Sequence, residues 1–156
     1  KKEVSEHVTI VDLIRNDLSQ VSSAVSVTRF RYVDKIRTDS KTLLQVSSEI
    51  VGNLEGNYFS CLGDILVKLL PAGSVSGAPK PKTLEIIRSV EGGERGYYTG
   101  VFGVFDGNTL DSGVMIRFIE QEKGKFYYRS GGGITTQSVV SSEYQEVIDK
   151  VYVPLT

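Results

Sequence analysis

The amino-acid sequence predicts an α+β fold in which helices pack on antiparallel β-sheets. Two observations carry this prediction: amphipathic helical segments lie at both ends of the chain, and alternating runs joined by short turns lie between them. The clearest turn is Asp106-Gly107-Asn108, which separates two β-rich runs and is typical of a hairpin. At 156 residues and 17.1 kDa, one domain is the default interpretation.

The first three elements follow from periodicity. Residues 3–19 are predicted to form a helix, because Ile10, Leu13 and Ile14 recur at three- to four-residue spacing. Residues 25–37 alternate and are rich in β-branched and aromatic side chains, which predicts a strand. Residues 43–54 fit either period, and we interpret them as a second strand.

Proline and glycine divide the rest of the chain. Pro71 ends an apolar helix, Gly92-Gly93 ends a second helix, and Lys123-Gly124 is a turn between strands. The remaining elements are therefore expected in this order: helix 58–70, loop 71–79, helix 82–90, strands 97–105, 112–120 and 125–129, and a last helix from 141 to 153.

Composition excludes several classes of function. With 18 basic and 19 acidic residues the net charge is −1, which gives no electrostatic basis for binding nucleic acid or an anionic membrane. Cys61 is the single cysteine, so a disulfide framework and a cysteine-based zinc site are excluded, and its apolar neighbours predict a core position. No apolar stretch is expected to approach the roughly 18 residues of a membrane span, which favours a cytoplasmic protein. Because the chain opens with Lys1 and at once a helix, we expect it to be a segment of a longer protein.

The last helix carries the most informative polar pattern. Tyr144, Val147, Ile148 and Val151 form an apolar stripe that is predicted to be buried. Glu143, Glu146 and Lys150 fall within roughly 60° of one another beside this stripe. Carboxylates held in this way can bind a hard divalent cation such as Mg²⁺. The alternative is a solvated helix face with an i,i+4 Glu–Lys pair.

Two further features favour a binding site over a solvated face. Glu3 and Glu6 lie three residues apart on the first helix, so two acidic pairs could close around one ion if the fold brings the helices together. Gly131-Gly132-Gly133 separates a strand from the last helix, and consecutive glycines let backbone N–H groups approach an anion closely. The alternative for this run is a flexible turn.

Taken together, these segments resemble the C-terminal part of the chorismate-utilising enzymes, a family that includes anthranilate synthase and aminodeoxychorismate synthase component I and the isochorismate and salicylate synthases. The resemblance covers the whole chain, residues 1–156, and implies the chorismate-binding fold with its upstream half absent. Each matching segment alone is weak, but five in the family's order and spacing are a strong signal. These segments are residues 3–17, 73–80, 98–117, 131–133 and 143–150.

The resemblance implies a Mg²⁺-dependent site for chorismate, a dicarboxylate. By position, Glu6 and Glu146 match the family's direct metal ligands, and Glu3 and Glu143 match the carboxylates that support the ion, partly through water. The ion would hold the ring carboxylate of the substrate. Matching residues for the substrate are Arg117 for the enolpyruvyl carboxylate, the N–H groups of Gly131, Gly132 and Gly133, the ammonium of Lys150, the hydroxyl of Tyr98, and Ser76, Gly77 and Ala78 along the ring.

Two departures from the family pattern bear on catalysis. Gln45 stands where family members often carry a histidine, and glutamine cannot transfer a proton at neutral pH. The family's general-acid glutamate and its Pro-Ile-x-Gly-Thr loop belong to the upstream half, so no residue of this chain is assigned a catalytic role. We interpret His7, the only histidine, as structural.

The activity that the resemblance implies is that of aminodeoxychorismate synthase component I in the folate (para-aminobenzoate) pathway. Such an enzyme converts chorismate and ammonia to 4-amino-4-deoxychorismate, and a separate glutamine amidotransferase subunit supplies the ammonia. The first alternative is anthranilate synthase component I, of tryptophan biosynthesis, which also eliminates pyruvate. The second is a non-catalytic α+β binding module. Without the upstream half, the isolated chain is expected to be inactive and to self-associate through open strand edges.

Overall fold

The computed structural model describes residues 2–37, 42–151 and 153, and it has the α+β composition that the sequence predicts. Residue contacts divide the chain into two compact units, residues 1–84 and residues 85–156. Each unit combines helices with antiparallel two-stranded sheets. Three sheets of two strands each are present in the described part of the chain.

The first unit is built on one long helix and one long hairpin. Helix α1 (Lys2–Ser19) packs on strands β1 (Ser23–Arg37) and β2 (Thr42–Asn53), which pair antiparallel. The register runs from Ser23 opposite Asn53 to Arg37 opposite Thr42, with irregularities before Tyr32. Both predicted strands and the predicted helix are therefore confirmed, including the segment whose period was ambiguous.

The apolar segment after the hairpin is broken into short helices. It consists of a 3₁₀ turn (Tyr58–Cys61), α2 (Leu62–Leu69) and α3 (Gly73–Ser76), and α4 (Lys80–Glu91) follows. The expected loop at 71–79 thus contains one helical turn, because Val75, Ser76 and Gly77 donate N–H groups to carbonyls of Ala72 and Gly73. Cys61, expected in the core, is exposed.

By length and composition, Tyr58–Ser76 could cross a membrane. The expectation that no apolar stretch approaches this length was therefore wrong. The helix is nevertheless interrupted, because Leu70 is extended (φ −97°, ψ 152°) and Pro71 follows it. The eight residues of α2 rise about 12 Å, which is well short of the roughly 30 Å of a bilayer core.

The second unit contains two hairpins and the last helix. Strand β3 (Val101–Phe105) pairs with β4 (Leu110–Val114), and β5 (Phe118–Glu122) pairs with β6 (Lys125–Arg129). Asp106 closes the first hairpin, because its carboxylate accepts hydrogen bonds from the N–H groups of Asn108 and Thr109 at 2.8 and 2.7 Å. These bonds, led by the one from Thr109, lower the pKa of the exposed Asp106 carboxyl.

Two of the predicted strands are shorter than expected for a local reason. Thr99 (φ +66°) and Arg117 (φ +54°) adopt the left-handed backbone conformation, which disrupts the regular geometry of a strand. The expected strand at 97–105 therefore begins at Val101. The expected strand at 112–120 is divided into the end of β4 and the start of β5.

Helix α5 (Val140–Asp149) ends four residues before the predicted limit of 153. The prediction that the apolar stripe of α5 is buried was wrong for most of the residues in that stripe. Tyr144, Ile148 and Val151 are exposed and only Val147 is half-buried. Glu143, by contrast, is only 6% exposed.

Apolar burial within the described residues is sparse. Val11 on α1, 8% exposed, is the only large apolar side chain there that counts as buried. On β3, Phe102 (61% exposed) and Val104 (74%) lie two positions apart, and therefore on one face of a two-stranded sheet. Such hairpins are marginal alone and need a further layer to cover them.

We expect the isolated chain to self-associate in solution at micromolar concentration, because open strand edges and apolar sheet faces attract further strands. Sedimentation velocity over a concentration series measures this. The double variant Phe102→Thr, Val104→Thr should lower the association constant about 10-fold or more, since it removes apolar area from one face. Ile134→Thr, which changes an exposed apolar residue outside any strand, is the control and should leave the constant unchanged. A monomeric wild-type chain across the series would contradict the expectation.

Candidate functional site

The acidic pair of the first unit lies on α1. Glu3 is exposed, and Glu6, one turn further on, is half-buried. His7 follows, and its Nε2 lies 2.7 Å from Ser48 Oγ while its ring packs edge-on against Phe30 at 6.1 Å. These contacts join α1 to the β1–β2 hairpin, which agrees with a structural role for His7. Gln45, in place of the family histidine, lies exposed on β2 opposite Asp34.

The loop predicted to line the substrate ring also belongs to the first unit. Ser76 is buried and its hydroxyl donates to the Ala72 carbonyl at 2.9 Å. Gly77 has φ +79°, a conformation that favours glycine, and its N–H donates to the Gly73 carbonyl at 2.9 Å. Ala78 is exposed. The Ser76 hydroxyl is thus hydrogen-bonded within the loop, and the surface of the loop consists of backbone and small side chains.

In the second unit the structure brings Tyr98 against the glycine run. A Cβ on Gly131 would overlap the Tyr98 hydroxyl, so the side chain reaches the backbone of Gly131 only because no side chain is present there. Gly132 faces α5, where a Cβ would lie 3.5 Å from a methyl group of Val147. Tyr98, Gly131 and Gly132 therefore form one surface with the C-terminal part of α5.

Two hydrogen bonds hold the end of β6 to the same helix. The hydroxyl of Tyr128 donates to the Lys150 carbonyl at 3.3 Å, and the Ser130 hydroxyl donates to the Val147 carbonyl at 3.5 Å. Within the part of the chain that the structure describes, the N–H groups of Gly131–Gly133 donate to no acceptor. Backbone N–H groups that are not engaged within the chain can donate to a bound anion.

The α5 residues show both features that the sequence left open. Lys150 Nζ lies 2.5 Å from Glu146 Oε1, so the i,i+4 pair of the alternative interpretation is formed. Glu143, one turn before Glu146, is buried. A buried carboxylate is costly unless a donor or cation compensates its charge. Glu143 therefore differs from a residue of an ordinary solvated helix face, whereas Glu146 is exposed and paired as the alternative interpretation predicts.

Arg117 is exposed and lies between β4 and β5. The ladder of the β3–β4 hairpin extends past its strands, because Thr99 N–H donates to Met115 O at 2.8 Å and Met115 N–H donates to Gly100 O at 2.9 Å. Arg117 is two residues beyond Met115, and Tyr98 is adjacent to Thr99. Both predicted substrate residues thus lie at the same end of this hairpin. Left-handed backbone at a non-glycine residue costs free energy and is often found at functional sites.

Arg95 is a residue of this region that sequence reasoning missed. Its Nη2 and Nε contact both oxygens of Glu91 at 2.6 and 2.8 Å, its guanidinium lies 5.5 Å from the centroid of the Tyr98 ring, and Nη1 donates to the Thr99 hydroxyl at 3.3 Å. The hydrogen bond to Glu91 raises the pKa of Arg95 and lowers the pKa of Glu91. Glu91 and Arg95 lie four residues apart, a spacing that predicts an ion pair when both residues lie on a helix. Gly92-Gly93 between them predicts the end of the helix, so the sequence did not indicate this pair.

The donor chemistry of the acidic residues fits Mg²⁺, because carboxylate oxygens are the ligands that this hard ion prefers. Within each unit, no three described His, Cys, Asp or Glu side chains lie close enough together to hold a metal. The predicted site draws Glu3 and Glu6 from one unit and Glu143 and Glu146 from the other. A metal shared by the two pairs stays a prediction.

We predict that Gly131→Ala destabilises a full-length protein carrying this chain by about 1–3 kcal/mol, because the new Cβ overlaps the Tyr98 hydroxyl. Adding Tyr98→Phe should recover part of the loss, since it removes the overlapping oxygen. Gly93→Ala, whose Cβ would meet nothing within 4 Å, is the control and should change stability by less than about 0.5 kcal/mol. Calorimetric unfolding of the four proteins measures this. Equal effects of the two alanine substitutions would show that the Tyr98–Gly131 contact is absent.

Comparison with known proteins identifies the family. The family model for chorismate binding enzymes matches residues 1–156. An uncharacterized PabA-like protein of Haemophilus influenzae is 57% identical over 155 residues, which is 99% of this chain and 47% of that protein. Anthranilate synthase component 1 of Archaeoglobus fulgidus is 39% identical (97% of this chain, 36% of that protein), and aminodeoxychorismate synthase component 1 of Bacillus subtilis is 37% identical (97% and 32%).

The chain spans about half the length of the PabA-like relative and about a third of the two synthases. The family match covers it from end to end, and the resemblance drawn from its motifs is thereby confirmed. This chain belongs to the family of chorismate binding enzymes.

Proposed function

We propose that the chain is the C-terminal segment of an aminodeoxychorismate synthase component I, in which the nitrogen of ammonia replaces the C4 hydroxyl of chorismate and that hydroxyl leaves as water. The observation that carries the proposal is the surface formed by Tyr98, the glycine run and the end of α5. It combines a phenol with backbone donors, and Lys150, whose ammonium can also bind a carboxylate, caps the C-terminal end of α5. Membership of a family of chorismate-utilising enzymes favours this function over the non-catalytic binding module.

In this proposal each polar group has one task toward the substrate. The guanidinium of Arg117 pairs with the enolpyruvyl carboxylate, for which its planar fork is suited. The N–H groups of Gly131–Gly133 and the Lys150 ammonium add positive charge at the same end, and the Tyr98 hydroxyl donates a hydrogen bond. Ser76, Gly77 and Ala78 present a small, largely backbone surface to the ring.

Glu6 and Glu146 would bind Mg²⁺ directly, and Glu3 and Glu143 would support it through water. When bound, the ion would neutralise the ring carboxylate of chorismate and stabilise charge that develops in the ring. The Lys150–Glu146 pair means that this ammonium and the ion would compete for one carboxylate oxygen. Four carboxylates brought together without a cation would repel one another.

The ammonia, in this proposal, comes from a glutamine amidotransferase subunit, and the reaction takes place in the cytoplasm. The proton donor and the nucleophilic lysine lie in the upstream half of the enzyme. The segment described here therefore binds and orients the substrate and holds the ion. Without the proton donor, positioning alone loses about 10²–10⁴ in rate, which is why the isolated chain is expected to make no product.

Anthranilate synthase is the second candidate, and a specific observation favours it. The Archaeoglobus anthranilate synthase and the Bacillus aminodeoxychorismate synthase differ by only two percentage points in identity to this chain (39% and 37%). The two reactions place the amino group on different ring carbons, C4 or C2, and only the anthranilate reaction releases pyruvate. Product analysis therefore separates them directly.

The test of the proposed function is an assay of the full-length protein with chorismate, Mg²⁺ and an ammonium salt, with products identified by mass spectrometry. We expect 4-amino-4-deoxychorismate and no pyruvate. Pyruvate in equal amount to an aromatic amine would support the anthranilate alternative. The isolated chain is assayed in parallel and should give no product. Consumption of chorismate by neither protein, with or without the amidotransferase, would exclude both synthases.

A substitution at Arg117 should separate stability from binding. Arg117→Gly relieves the left-handed backbone and should stabilise the full-length protein by about 1 kcal/mol. It also removes the guanidinium, and loss of a charge-assisted hydrogen bond should raise the Kd for chorismate about 10- to 150-fold. Calorimetric unfolding and isothermal titration measure the two effects.

Lys123→Gly is the matched control for this prediction. Lys123 also has positive φ (+50°), lies in the β5–β6 turn, and its side chain is 90% exposed. The control should gain similar stability and keep its affinity for chorismate. If Arg117→Gly binds chorismate as tightly as the wild type, Arg117 has no role in the site. Arg15→Ala, on the solvent side of α1, should change stability and not affinity.

A further inference from the structure

One buried carboxylate holds both ends of the loop between α2 and α4. Asp17 Oδ2 accepts a hydrogen bond from the Gly73 N–H at 2.9 Å, and Asp17 Oδ1 accepts one from Lys80 Nζ at 2.7 Å. The side chains of Asp17 and Lys80 are only 12% and 25% exposed. The two donors are 56 and 63 residues away from Asp17 along the chain. These contacts are tertiary, and they enclose the loop residues 74–79 between two anchors.

The first anchor depends on a glycine. A Cβ on Gly73 would lie 3.0 Å from Asp17 Oδ2 and 3.0 Å from Leu13 Cβ, closer than side chains normally approach. Gly73 is buried and starts the helical turn α3, which its own carbonyl closes through the Gly77 N–H. The turn that carries Ser76 and Gly77 is therefore seated directly on α1.

The stability of the two helices does not explain the Asp17–Lys80 pair. Asp17 lies in the last turn of α1, where the helix dipole disfavours an anion, and Lys80 is the first residue of α4, where it disfavours a cation. Each charge would be better placed at the opposite end of its own helix. Desolvation adds a further cost to both ions. What the pair does provide is a fixed distance between α1 and the two ends of the loop.

We propose that Asp17 is a positioning residue that sets the place of Ser76, Gly77 and Ala78 against the substrate ring; this inference rests on the proposed function. Asp17 touches no reacting atom. It acts through the Gly73 N–H and the Lys80 ammonium, and a shift of either anchor moves the loop surface. A displacement of about 1 Å in a positioning group is enough to lower a rate about 100-fold.

The test uses the full-length enzyme and four variants. Asp17→Asn leaves the Lys80 ammonium without its counter-ion, and kcat/KM for chorismate should fall about 10-fold or more. The double variant Asp17→Asn, Lys80→Gln restores both contacts with uncharged groups. The asparagine oxygen can accept a hydrogen bond from the Gly73 N–H, and the asparagine amide can donate one to the glutamine oxygen. It should regain most of the lost kcat/KM, whereas Asp17→Ala, Lys80→Ala should not. Asp12→Asn, on the same helix with an exposed side chain paired to Arg15, is the control and should keep kcat/KM unchanged.

Amide hydrogen exchange at residues 73–80 is the second measurement, and it does not depend on catalysis. In Asp17→Asn these amides should exchange faster than in the wild type, and the neutral double variant should restore protection. If Asp17→Asn lowers only the melting temperature while kcat/KM of the folded enzyme stays at the wild-type value, the positioning role is wrong. Unchanged exchange at residues 73–80 would overturn it as well. A wild-type enzyme that neither binds nor converts chorismate rejects the proposed function, and the positioning role of Asp17 toward that substrate is then rejected too. Faster exchange in Asp17→Asn would in that case still show that the contacts of Asp17 with Gly73 and Lys80 hold the loop in place.

Discussion

The packing of α1 against the rest of its unit is the interaction on which the first 84 residues depend. This helix contacts β1, β2, α2 and α3, so the hairpin and two of the short helices of the unit are placed relative to it. It carries Val11, the buried apolar side chain, and Asp17, a buried carboxylate, at different points along its length. His7 adds a hydrogen bond to Ser48 on β2. One amphipathic helix thus supplies apolar burial, a polar tie to the sheet and an ionic tie to the loop.

The second unit is organised differently, because there a side chain approaches the backbone of a glycine run closely. Tyr98 reaches the glycine run because Gly131 lacks a side chain, and Arg95 stacks on the Tyr98 ring while both oxygens of Glu91 hold the guanidinium. Left-handed residues at Thr99 and Arg117 end the regular strands on this side of the hairpin. The same local geometry that shortens the sheet therefore forms the surface proposed to bind the substrate. Strain at such positions is retained when the groups that it orients are needed.

The order and type of the elements could be predicted from the sequence, because they depend on signals within a few residues. Asp106-Gly107-Asn108 does form the hairpin turn, and the β5–β6 strands lie on either side of Lys123-Gly124. The break at Arg117 could not be predicted, since no side-chain pattern reports a positive φ at an arginine. The contacts of Asp17 with Gly73 and Lys80 could not be predicted for a different reason. Both partners are more than 50 residues away from Asp17 along the chain, and only the fold brings them together.

The candidate site could be predicted only in part, because its residues are divided between the two units. Tyr98, Gly131, Gly132 and the end of α5 belong to one unit and are neighbours there, while their role toward a substrate stays a prediction. The acidic pairs belong to different units, so a site that they share stays a prediction.

The failed expectation of a buried stripe on α5 has a related origin. An amphipathic pattern reports that a face needs a partner, but it does not say which segment supplies that partner. Tyr144 and Ile148 on α5 are apolar and exposed, as are Phe102 and Val104 on β3. A two-stranded sheet with an apolar face is marginal until a further layer covers it. These faces are therefore where we expect the remainder of a longer enzyme to pack, and the same packing would fix the distance between the acidic pairs. For the proposed Mg²⁺ site, burial of these apolar faces would supply hydrophobic free energy against the repulsion among four carboxylates.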